Sequence, residues 1–269
     1  MPRECGRNVM DGAGDRHGGP GAEERVLVVT GAGSGIGRAV ARAFLAAGWV
    51  VVLAGRRRAA LVETAEAAPG ARIVPVDVAD AESVASAFRG IEELTGRIDV
   101  LFNNAGTFGP RGGADEIDPA EWQRTLEVNL TGTFLCSAQA VRIMKRQQPA
   151  GGRIINNGSI SAHAPRPLSA AYTASKHAVT GLTRSLDLDG RPYGITCGQI
   201  DIGNAATELL AGLGTDGGAL QADGTLRPEP SFPVEEVGRA VLMMAELPAS
   251  ATVNSLVLTA SGMPFAGRG

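Results

Sequence analysis

Short apolar runs alternate with stretches of helical periodicity along most of the chain. Two early runs, RVLVVTG and WVVVLAG, are rich in β-branched residues and stop at glycine, as buried parallel strands do. The same kind of run recurs as RIVPVDV, IDVLFNNAG, GRIINNGS, GITCGQI and NSLVLTA. Helical spacing of apolar residues is found at 36–47, 58–68, 80–94, 119–147, 170–188 and 234–247. This alternation predicts an α/β fold, a doubly wound parallel sheet of about seven strands with helices on both faces.

Charge and cysteine content argue against several classes of protein. The formal net charge is −3 and the basic residues are dispersed, apart from the run at 56–58, so we expect no nucleic-acid partner. The three cysteines, Cys5, Cys136 and Cys197, lie far apart in the sequence. This spacing argues against a disulfide framework and predicts no metal site.

Residues 1–24 differ in character from the rest of the chain. They are rich in glycine and charge and lack periodicity, which predicts a flexible tail ahead of one folded domain at 25–269. The longest apolar stretch, at 43–55, is interrupted by Gly48 and is too short to cross a bilayer, and no signal peptide precedes it. We therefore expect a cytoplasmic, soluble protein with no membrane partner.

A glycine-rich turn follows the first strand. The sequence TGAGSGIG has the spacing G-x-x-x-G-x-G and stands directly before a helix. Glycines there permit a tight turn and let the backbone at a helix N-terminus approach a pyrophosphate, which predicts a dinucleotide site. The alternative is a plain tight turn. The predicted contacts are Gly31, Gly33, Ser34, Gly35, Ile36 and Gly37.

The residues after the second strand predict which dinucleotide binds. An acidic side chain at this place accepts hydrogen bonds from the ribose hydroxyls of NAD. Here the chain reads AGRR, so no carboxylate is available and the guanidiniums of Arg56 and Arg57 are. Arginine matches the oxygens of a phosphate, which favours NADP(H), with its 2′-phosphate, over NAD(H). The alternative is that both arginines only begin a solvated helix.

Tyr172 and Lys176 lie four residues apart in a predicted helix, downstream of Ser159. Residues at this spacing share one helix face, so we expect the Lys176 ammonium to lower the pKa of the phenol, which is ordinarily about 10. Hydride transfer to a carbonyl leaves an alkoxide that needs a proton, and Ser159 adds a neutral donor for the developing oxyanion. The three residues predict a proton-transfer site rather than a solvated Tyr/Lys pair.

With the glycine turn, NNAG at 103–106 and these three residues in order, the chain resembles the short-chain dehydrogenase/reductase family over residues 25 to about 260. The glycine spacing and modest length resemble its small single-domain branch, as in the 3-oxoacyl-[acyl-carrier-protein] reductases. The resemblance implies a single-domain Rossmann fold that interconverts a ketone and a secondary alcohol.

The resemblance also implies roles for individual residues. Asn129, in EVNLTG, would hold a bend in the long helix and a water linked to Lys176; taken singly, it could merely kink the helix. The implied catalytic residues are Ser159, Tyr172, Lys176 and Asn129. The implied cofactor contacts are Asp77 and Val78 at the adenine, Asn103, Ala105 and Gly106 behind the fourth strand, and Tyr172 and Lys176 near the nicotinamide ribose.

One loop departs from the family pattern. After the sixth strand the family usually has Pro-Gly, whereas this chain has Ile202 and Gly203 within QIDIGNAATEL. Gly203 can still turn the backbone past the cofactor's carboxamide, and Thr207 can contact the carboxamide or a phosphate. We expect cofactor contacts from all three, through a less rigid loop.

The stretch at 205–233 is long and rich in glycine, and it follows the sixth strand at the sheet edge where ligands bind. It therefore predicts a lid. His163, Pro165 and Leu168 would add to the pocket from the other side, although a plain surface loop explains His163 equally well. The lid residues expected to form an apolar lining are Leu209, Leu210, Leu213 and Leu220. Such a site fits a 3-oxoacyl thioester, a cyclic ketone or a hydrophobic alcohol.

The leading hypothesis is an NADP(H)-dependent carbonyl reductase. The alternatives are an NAD-linked alcohol dehydrogenase and, from a different class, a non-catalytic cofactor-binding regulator on the same fold. The intact set of Ser159, Tyr172 and Lys176 argues against the regulator. The helices around 120–147 and 170–188 resemble those through which this family associates, so we expect a homo-oligomer, either dimer or tetramer.

Overall fold

A computed structural model of the protein describes residues 24–207 and 218–263. The tail predicted at 1–24 lies outside this range except for Glu24. Three of the four leucines predicted to line the lid, Leu209, Leu210 and Leu213, lie outside it as well.

Seven parallel strands form the central sheet. They are β1 Val26–Thr30, β2 Val50–Gly55, β3 Ala71–Pro75, β4 Val100–Asn103, β5 Gly152–Asn157, β6 Ile195–Ile202 and β7 Ser255–Leu258. Their spatial order is β3-β2-β1-β4-β5-β6-β7. The predicted doubly wound α/β fold is confirmed. The chain changes direction across the sheet between β1 and β4, and such a switch point opens a crevice at the carboxyl ends of the strands.

Seven α-helices connect or follow these strands in the described part of the chain. They are α1 Gly35–Ala46, α2 Arg58–Ala65, α3 Ala81–Thr95, α4 Pro119–Leu126, α5 Gly132–Arg146, α6 Ala170–Gly190 and α7 Glu235–Glu246. Each agrees with a stretch of helical periodicity to within a few residues, except that one predicted helix is divided in two. None of these helices is long and apolar enough to cross a membrane.

The core lies in two layers, one on each face of the sheet. Side chains alternate along β1, so Val28 packs in the layer that contains Phe88 of α3 and Met144 of α5. Its neighbour Val29 packs in the other layer, with residues of α1 and α7 such as Phe44. Because both faces of the strand are buried, it consists of apolar residues up to its last position, as parallel strands do.

The long helix predicted at 119–147 is interrupted by one π-helical turn, Glu127–Thr131. The helix type therefore changes at the place where the sequence predicts a bend, near Asn129. The Asn129 backbone carbonyl accepts a hydrogen bond from Thr133 Oγ1 at 2.8 Å. At Gly132 an added Cβ would lie 2.9 Å from a methyl group of Val78, so glycine permits close packing just after the turn.

The segment predicted as an irregular lid contains short paired strands. Ala205–Ala206 pairs in parallel with Phe232–Pro233, and Ala219–Leu220 pairs in antiparallel fashion with Leu226–Arg227. The antiparallel pair is closed by a turn at Asp223, whose carboxylate accepts from the backbone N–H of Thr225 at 2.9 Å. The dipeptide Asp-Gly is a strong hairpin signal that the sequence reading passed over.

Candidate active site

Two adjoining cavities open at the carboxyl edge of the sheet. The glycine cleft, about 250 Å³, lies between the glycine turn and the ends of β2 and β3. The tyrosine cavity, about 480 Å³, lies between the end of β5, the start of α6 and the segment after β6. The side chains or backbone of Ile36, Asn104, Gly106 and Thr207 line both, so the two cavities form one continuous groove.

Most of the predicted site residues line this groove. On the glycine cleft lie Gly31, Gly33, Ser34, Gly35, Ile36, Arg56, Arg57, Asp77, Val78, Ala105, Gly106 and Thr207. On the tyrosine cavity lie Ile36, Gly106, Ser159, Tyr172, Lys176, Ile202, Gly203 and Thr207. Among the predicted residues that line neither cavity, Gly37, Asn103 and Asn129 lie behind the lining.

The glycine turn brings the N-terminus of α1 to the cleft. Gly31 and Gly35 have φ of 65° and 50°, in the left-handed region that favours glycine. A Cβ on Gly37 would lie 2.3 Å from the Gly31 carbonyl oxygen, so only glycine lets the helix pack this closely on the turn. Ser34 precedes α1 without a side-chain cap, which leaves the first backbone N–H groups of the helix available to an anion.

Asn104 braces the turn, a role that the sequence reading missed. Its side-chain amide donates to the backbone carbonyls of Thr30, at 3.0 Å, and Gly31, at 3.3 Å. Its side-chain oxygen accepts from Asn157 Nδ2 at 2.9 Å. The preceding residue, Asn103, lies beneath the cleft and donates to Asn156 Oδ1 and Ser137 Oγ, each at 2.9 Å. Successive residues at the end of a strand point in opposite directions, so only one of the two asparagines reaches the groove.

The mouth of the glycine cleft carries positive charge. Arg56 and Arg57 are exposed, line the cleft, and have no ion-pair partner among the described residues. Arg58 is also exposed but does not line the cleft. Asp77 is the only carboxylate among the described lining residues of the cleft, and it accepts from the backbone N–H of Ala79 at 3.1 Å.

Ser159, Tyr172 and Lys176 converge on the tyrosine cavity. Ser159 follows β5 and begins a short 3-10 turn, where its Oγ accepts from the backbone N–H of Ser161 at 3.1 Å. The hydroxyls of Ser159 and Tyr172 are hydrogen-bonded. The Lys176 ammonium lies 5.6 Å from the centre of the Tyr172 ring and donates to the backbone carbonyl of Asn157 at 2.7 Å. One wall of the cavity thus presents a phenol, a hydroxyl and an ammonium together.

The charge states of this group differ from the expectation. Without a cofactor, burial raises the pKa of the Tyr172 phenol, and the hydrogen bond from Ser159 and the charge of Arg166 offset this only in part. Burial also lowers the pKa of the Lys176 ammonium to about 8. The predicted lowering of the phenol's pKa by Lys176 is therefore wrong for the protein alone, because loss of contact with water outweighs the neighbouring charges.

Asn129 connects the π turn to the segment after β4. Its side-chain oxygen accepts from the backbone N–H of Thr107, and its side-chain amide donates to the Thr107 carbonyl, each at 2.8 Å. The same amide donates to Ser175 Oγ at 3.0 Å. The side chain therefore fixes the loop against α6 one residue before Lys176; a water between Asn129 and Lys176 stays a prediction.

Asp201, near the end of β6, is a second residue that the sequence reading missed. Its carboxylate is 1% exposed and accepts from the backbone N–H of Ser159 at 3.0 Å. It also contacts His163 Nε2 at 2.7 Å. The signal in the sequence was a single acidic residue within an otherwise uncharged strand, GITCGQIDI.

A polar cluster closes the far side of the tyrosine cavity. Arg166 donates through one terminal nitrogen to Asn204 Oδ1 at 2.8 Å and to Glu229 Oε2 at 2.7 Å. Asn204 Nδ2 donates to the same Glu229 oxygen at 2.9 Å. Glu229 lies in the segment predicted as a lid, so this cluster fastens that segment to the loop before α6.

No cysteine is among the described residues that line the groove. Cys136 and Cys197 are buried in the core beneath the sheet, and burial raises the pKa of the Cys136 thiol to about 12. Residues 24–207 and 218–263 contain no group of three His, Cys, Asp or Glu side chains that could hold a metal ion.

The fold, with a glycine turn at a helix N-terminus beside the switch point of a parallel sheet, is that of a nucleotide-binding Rossmann protein. A family model described as short chain dehydrogenase matches residues 25–217, and the chain belongs to this family. It is therefore an oxidoreductase that acts on hydroxyl or carbonyl groups.

Two relatives indicate the range of chemistry in similar chains. A 3beta-hydroxysteroid dehydrogenase from Mediterraneibacter gnavus is 40% identical over 182 residues, which are 66% of this chain and 65% of that enzyme. A cis-4-hydroxycyclohexanecarboxylate dehydrogenase from Sinomonas cyclohexanicum is 36% identical over 242 residues, 89% of this chain and 96% of that enzyme. The chain thus spans slightly under two thirds of the first relative and nearly all of the second.

Solved structures with bound nucleotides share this fold. Actinorhodin polyketide ketoreductase, determined with NADPH, has a TM-score of 0.78 and 28% identity, and the match covers 89% of this chain and 97% of that one. The 3-ketoacyl-(acyl-carrier-protein) reductase of Brucella melitensis, determined with NADH, has a TM-score of 0.77 and 26% identity, with 88% and 97% covered. Similar structures therefore hold dinucleotides with or without the 2′-phosphate.

Proposed function

We propose that the protein is an NADP(H)-dependent dehydrogenase/reductase that interconverts a ketone and a secondary alcohol, with Tyr172 exchanging the proton. One observation carries the proposal: Tyr172, hydrogen-bonded to Ser159, shares a cavity wall with Lys176, and that cavity opens directly into the glycine cleft. The same set argues against a non-catalytic regulator, which would not need a buried phenol, hydroxyl and ammonium in one place.

The residues of the glycine cleft fit a dinucleotide phosphate. The positions at which a Cβ would collide, Gly31 and Gly37, leave the backbone bare beside the uncapped start of α1, where a pyrophosphate is favoured. Arg56 and Arg57 would hold the 2′-phosphate of NADP(H). Further contacts would come from Asp77 and Val78 at the adenine and from Lys176, Ile202, Gly203 and Thr207 near the nicotinamide end.

When bound, NADP(H) supplies or accepts the hydride, and its oxidised nicotinamide adds positive charge beside the phenol. Tyr172 Oη donates a proton to the substrate oxygen in reduction and removes it in oxidation. Ser159 Oγ accepts from a backbone N–H, which holds the oxygen in place, and its own proton would turn from Tyr172 to the substrate oxygen as charge develops there. The raised pKa of Tyr172 keeps the phenol protonated, and this is the form that donates a proton in carbonyl reduction. A positive charge beside the phenol would favour the phenolate, which is the form that accepts a proton in alcohol oxidation.

We infer that the substrate is a cyclic secondary alcohol or its ketone. The tyrosine cavity is about 480 Å³, and its lining includes Phe108, Ile160, Leu168 and Leu220. This volume and lining suit a compact apolar ring. Support also comes from the two relatives, whose names specify ring alcohols, a hydroxysteroid and a hydroxycyclohexanecarboxylate. A 3-oxoacyl thioester is the second candidate, supported by the likeness to the reductase of Brucella melitensis.

The segment at 205–233 would act as a lid over this cavity, held shut by the contact between Arg166 and Glu229. A cytoplasmic homo-oligomer, dimer or tetramer, also stays our proposal. Support comes from large apolar side chains on the helices expected at the interface: Phe134 of α5 is 51% exposed and Leu188 of α6 is 61% exposed.

The proposal is tested by following nicotinamide absorbance with cyclohexanol, cis-4-hydroxycyclohexanecarboxylate and a steroid alcohol, each with NADP⁺ and NAD⁺. The reverse reaction is followed with the matching ketones and with acyl thioesters. Ser159→Ala should reduce kcat by about 10²-fold through loss of the oxyanion donor. Ser161→Ala is the matched control, because it keeps the backbone N–H that holds Ser159 Oγ. Equal rates in the two variants would contradict the role of Ser159.

A further inference from the structure

Asp201 lies directly behind the catalytic serine, although nothing in the proposed reaction uses it. One carboxylate oxygen accepts from the backbone N–H of Ser159 at 3.0 Å and from Gln199 Nε2 at 2.6 Å. The other oxygen contacts His163 Nε2 at 2.7 Å. Because the side chain is 1% exposed, protein groups rather than water provide its contacts.

Gly158, the residue before Ser159, leaves room for the Asp201 carboxylate where this carboxylate contacts the turn that contains Ser159. A Cβ on Gly158 would lie 1.9 Å from Asp201 Oδ1 and 2.7 Å from the amide nitrogen of Gln199. Any side chain at 158 would therefore displace the carboxylate from the Ser159 N–H. Glycine before the serine and aspartate on the neighbouring strand form one fitted arrangement.

The charged groups around Asp201 come from three directions. His163, 42% exposed at its side chain, approaches from the loop after the 3-10 turn. Lys176 and Tyr172 approach from α6. Arg166 lies in the loop before α6, and its charge acts on the same phenol. The negative charge of Asp201 raises the pKa of both the Lys176 ammonium and the Tyr172 phenol.

We propose that Asp201 is a positioning residue for the catalytic site: its carboxylate holds the backbone of Ser159 in place, and its negative charge sets the pH range in which Tyr172 exchanges its proton. Asp201 acts through Ser159, Lys176 and Tyr172 and does not itself line the cavity. This inference rests on the proposed function of those three residues.

Asp201→Asn separates charge from hydrogen bonding. The asparagine oxygen can still accept from the Ser159 N–H, while its NH₂ group takes the place of the oxygen that contacts His163 Nε2, so the shape of the side chain is kept and the charge is removed. Without the negative charge, protonation of both Tyr172 and Lys176 is less favourable. The rising limb of alcohol oxidation and the falling limb of carbonyl reduction should both move to lower pH, by about one unit. The profile should move to lower pH whether a limb reports the titration of Tyr172 or that of Lys176.

Asp201→Ala removes the acceptor as well as the charge. The buried N–H of Ser159 then has no partner, so kcat should fall at least about tenfold below that of Asp201→Asn, while the dissociation constant for NADPH stays the same. Nicotinamide fluorescence measures that constant on the same preparations, and it also reports whether each variant is folded. Equal kcat values in the two variants would overturn the positioning of Ser159.

His163→Gln is the matched control, because glutamine keeps an N–H donor toward Asp201 and retains the buried charge. Its pH profile should not move to lower pH. An unmoved profile in Asp201→Asn, or a downward move in His163→Gln, would overturn the electrostatic part of the proposal. If the wild-type protein turned over no alcohol or ketone with NADP(H) or NAD(H), the proposed function itself would fail, and that result is separate from any of these.

Discussion

The choice between NADP(H) and NAD(H) rests on Arg56 and Arg57, and replacing both with glutamine tests it. Glutamine keeps a polar, though shorter, side chain and removes the two positive charges at the mouth of the glycine cleft. Arg58→Gln is the matched control, because Arg58 is also exposed and adjacent in sequence but does not line the cleft. Arg58 begins α2, Arg57 is its N-cap and Arg56 precedes the cap, so the control also reports any general effect on the start of that helix.

The size of the effect follows from the exposure of the two side chains. A hydrogen bond to a charged group contributes about 1.5–3 kcal/mol, and water and salt reduce this at an exposed site to about 1 kcal/mol per arginine. Loss of both should cost about 2 kcal/mol, or about a thirtyfold increase in the dissociation constant for NADPH. NADH lacks the 2′-phosphate and should bind the variant about as well as the wild type.

Fluorescence titration with NADPH and NADH at two salt concentrations measures both constants. The wild type should lose NADPH affinity as salt rises, and the double variant should lose less. An unchanged NADPH constant, or an equal loss for NADH, would refute the assignment of these arginines to the 2′-phosphate. A thirtyfold loss in Arg58→Gln would refute it equally.

Three further predictions follow from the site. Gly37→Ala places a Cβ against the Gly31 carbonyl and should weaken binding of both dinucleotides by about tenfold or more in titrations. Gly90→Ala is the control, because Gly90 lies in α3 with open space around it. This variant should raise the free energy of unfolding by about 0.5–1 kcal/mol. Burial lowers the pKa of Lys176 to about 8 from an ordinary value of 10.5, so the buried charge destabilises the folded protein below pH 8 and is lost as pH rises. In denaturant unfolding, the wild type should therefore gain stability relative to Lys176→Met between pH 8 and pH 10.5. A difference that stays constant over this range would contradict the prediction. Glu229→Gln weakens the contact with Arg166 and should raise KM for the alcohol several-fold with little change in kcat; a fall in kcat alone would argue against a lid.

Much of the fold could be predicted from sequence periodicity. The apolar runs mark all seven strands of the sheet, and the helical stretch predicted at 80–94 is α3, which Asp80 caps through bonds to the backbone N–H groups of Glu82 and Ser83. The glycine turn and the pairing of Tyr172 with Lys176 could be predicted because local geometry fixes their spacing, whereas Ser159 is predicted from the family resemblance. These residues line the groove in the structure.

The remaining features depend on contacts between distant parts of the chain. The π turn at Asn129 is tied to Thr107, and the position of Asp201 under Ser159 depends on the pairing of β5 with β6. The pKa of Tyr172 depends on burial, which a spacing of four residues does not reveal. Whether Asn103 or Asn104 reaches the groove depends on the last residue of β4, and strand ends are the least certain part of any prediction from sequence.

The most direct test of the central claim compares the only two tyrosines of the chain. Each is near a lysine: Tyr172 lies in the cavity with Lys176, while Tyr193 is 46% exposed with Lys145 Nζ 3.6 Å from its ring centre. Turnover of the same alcohol and ketone is measured in Tyr172→Phe and Tyr193→Phe, together with the dissociation constant for NADPH. We predict that Tyr172→Phe loses about 10²- to 10⁴-fold in kcat with cofactor binding retained, and that Tyr193→Phe behaves as the wild type. Full turnover in Tyr172→Phe, or an equal loss in both variants, would contradict proton exchange at Tyr172.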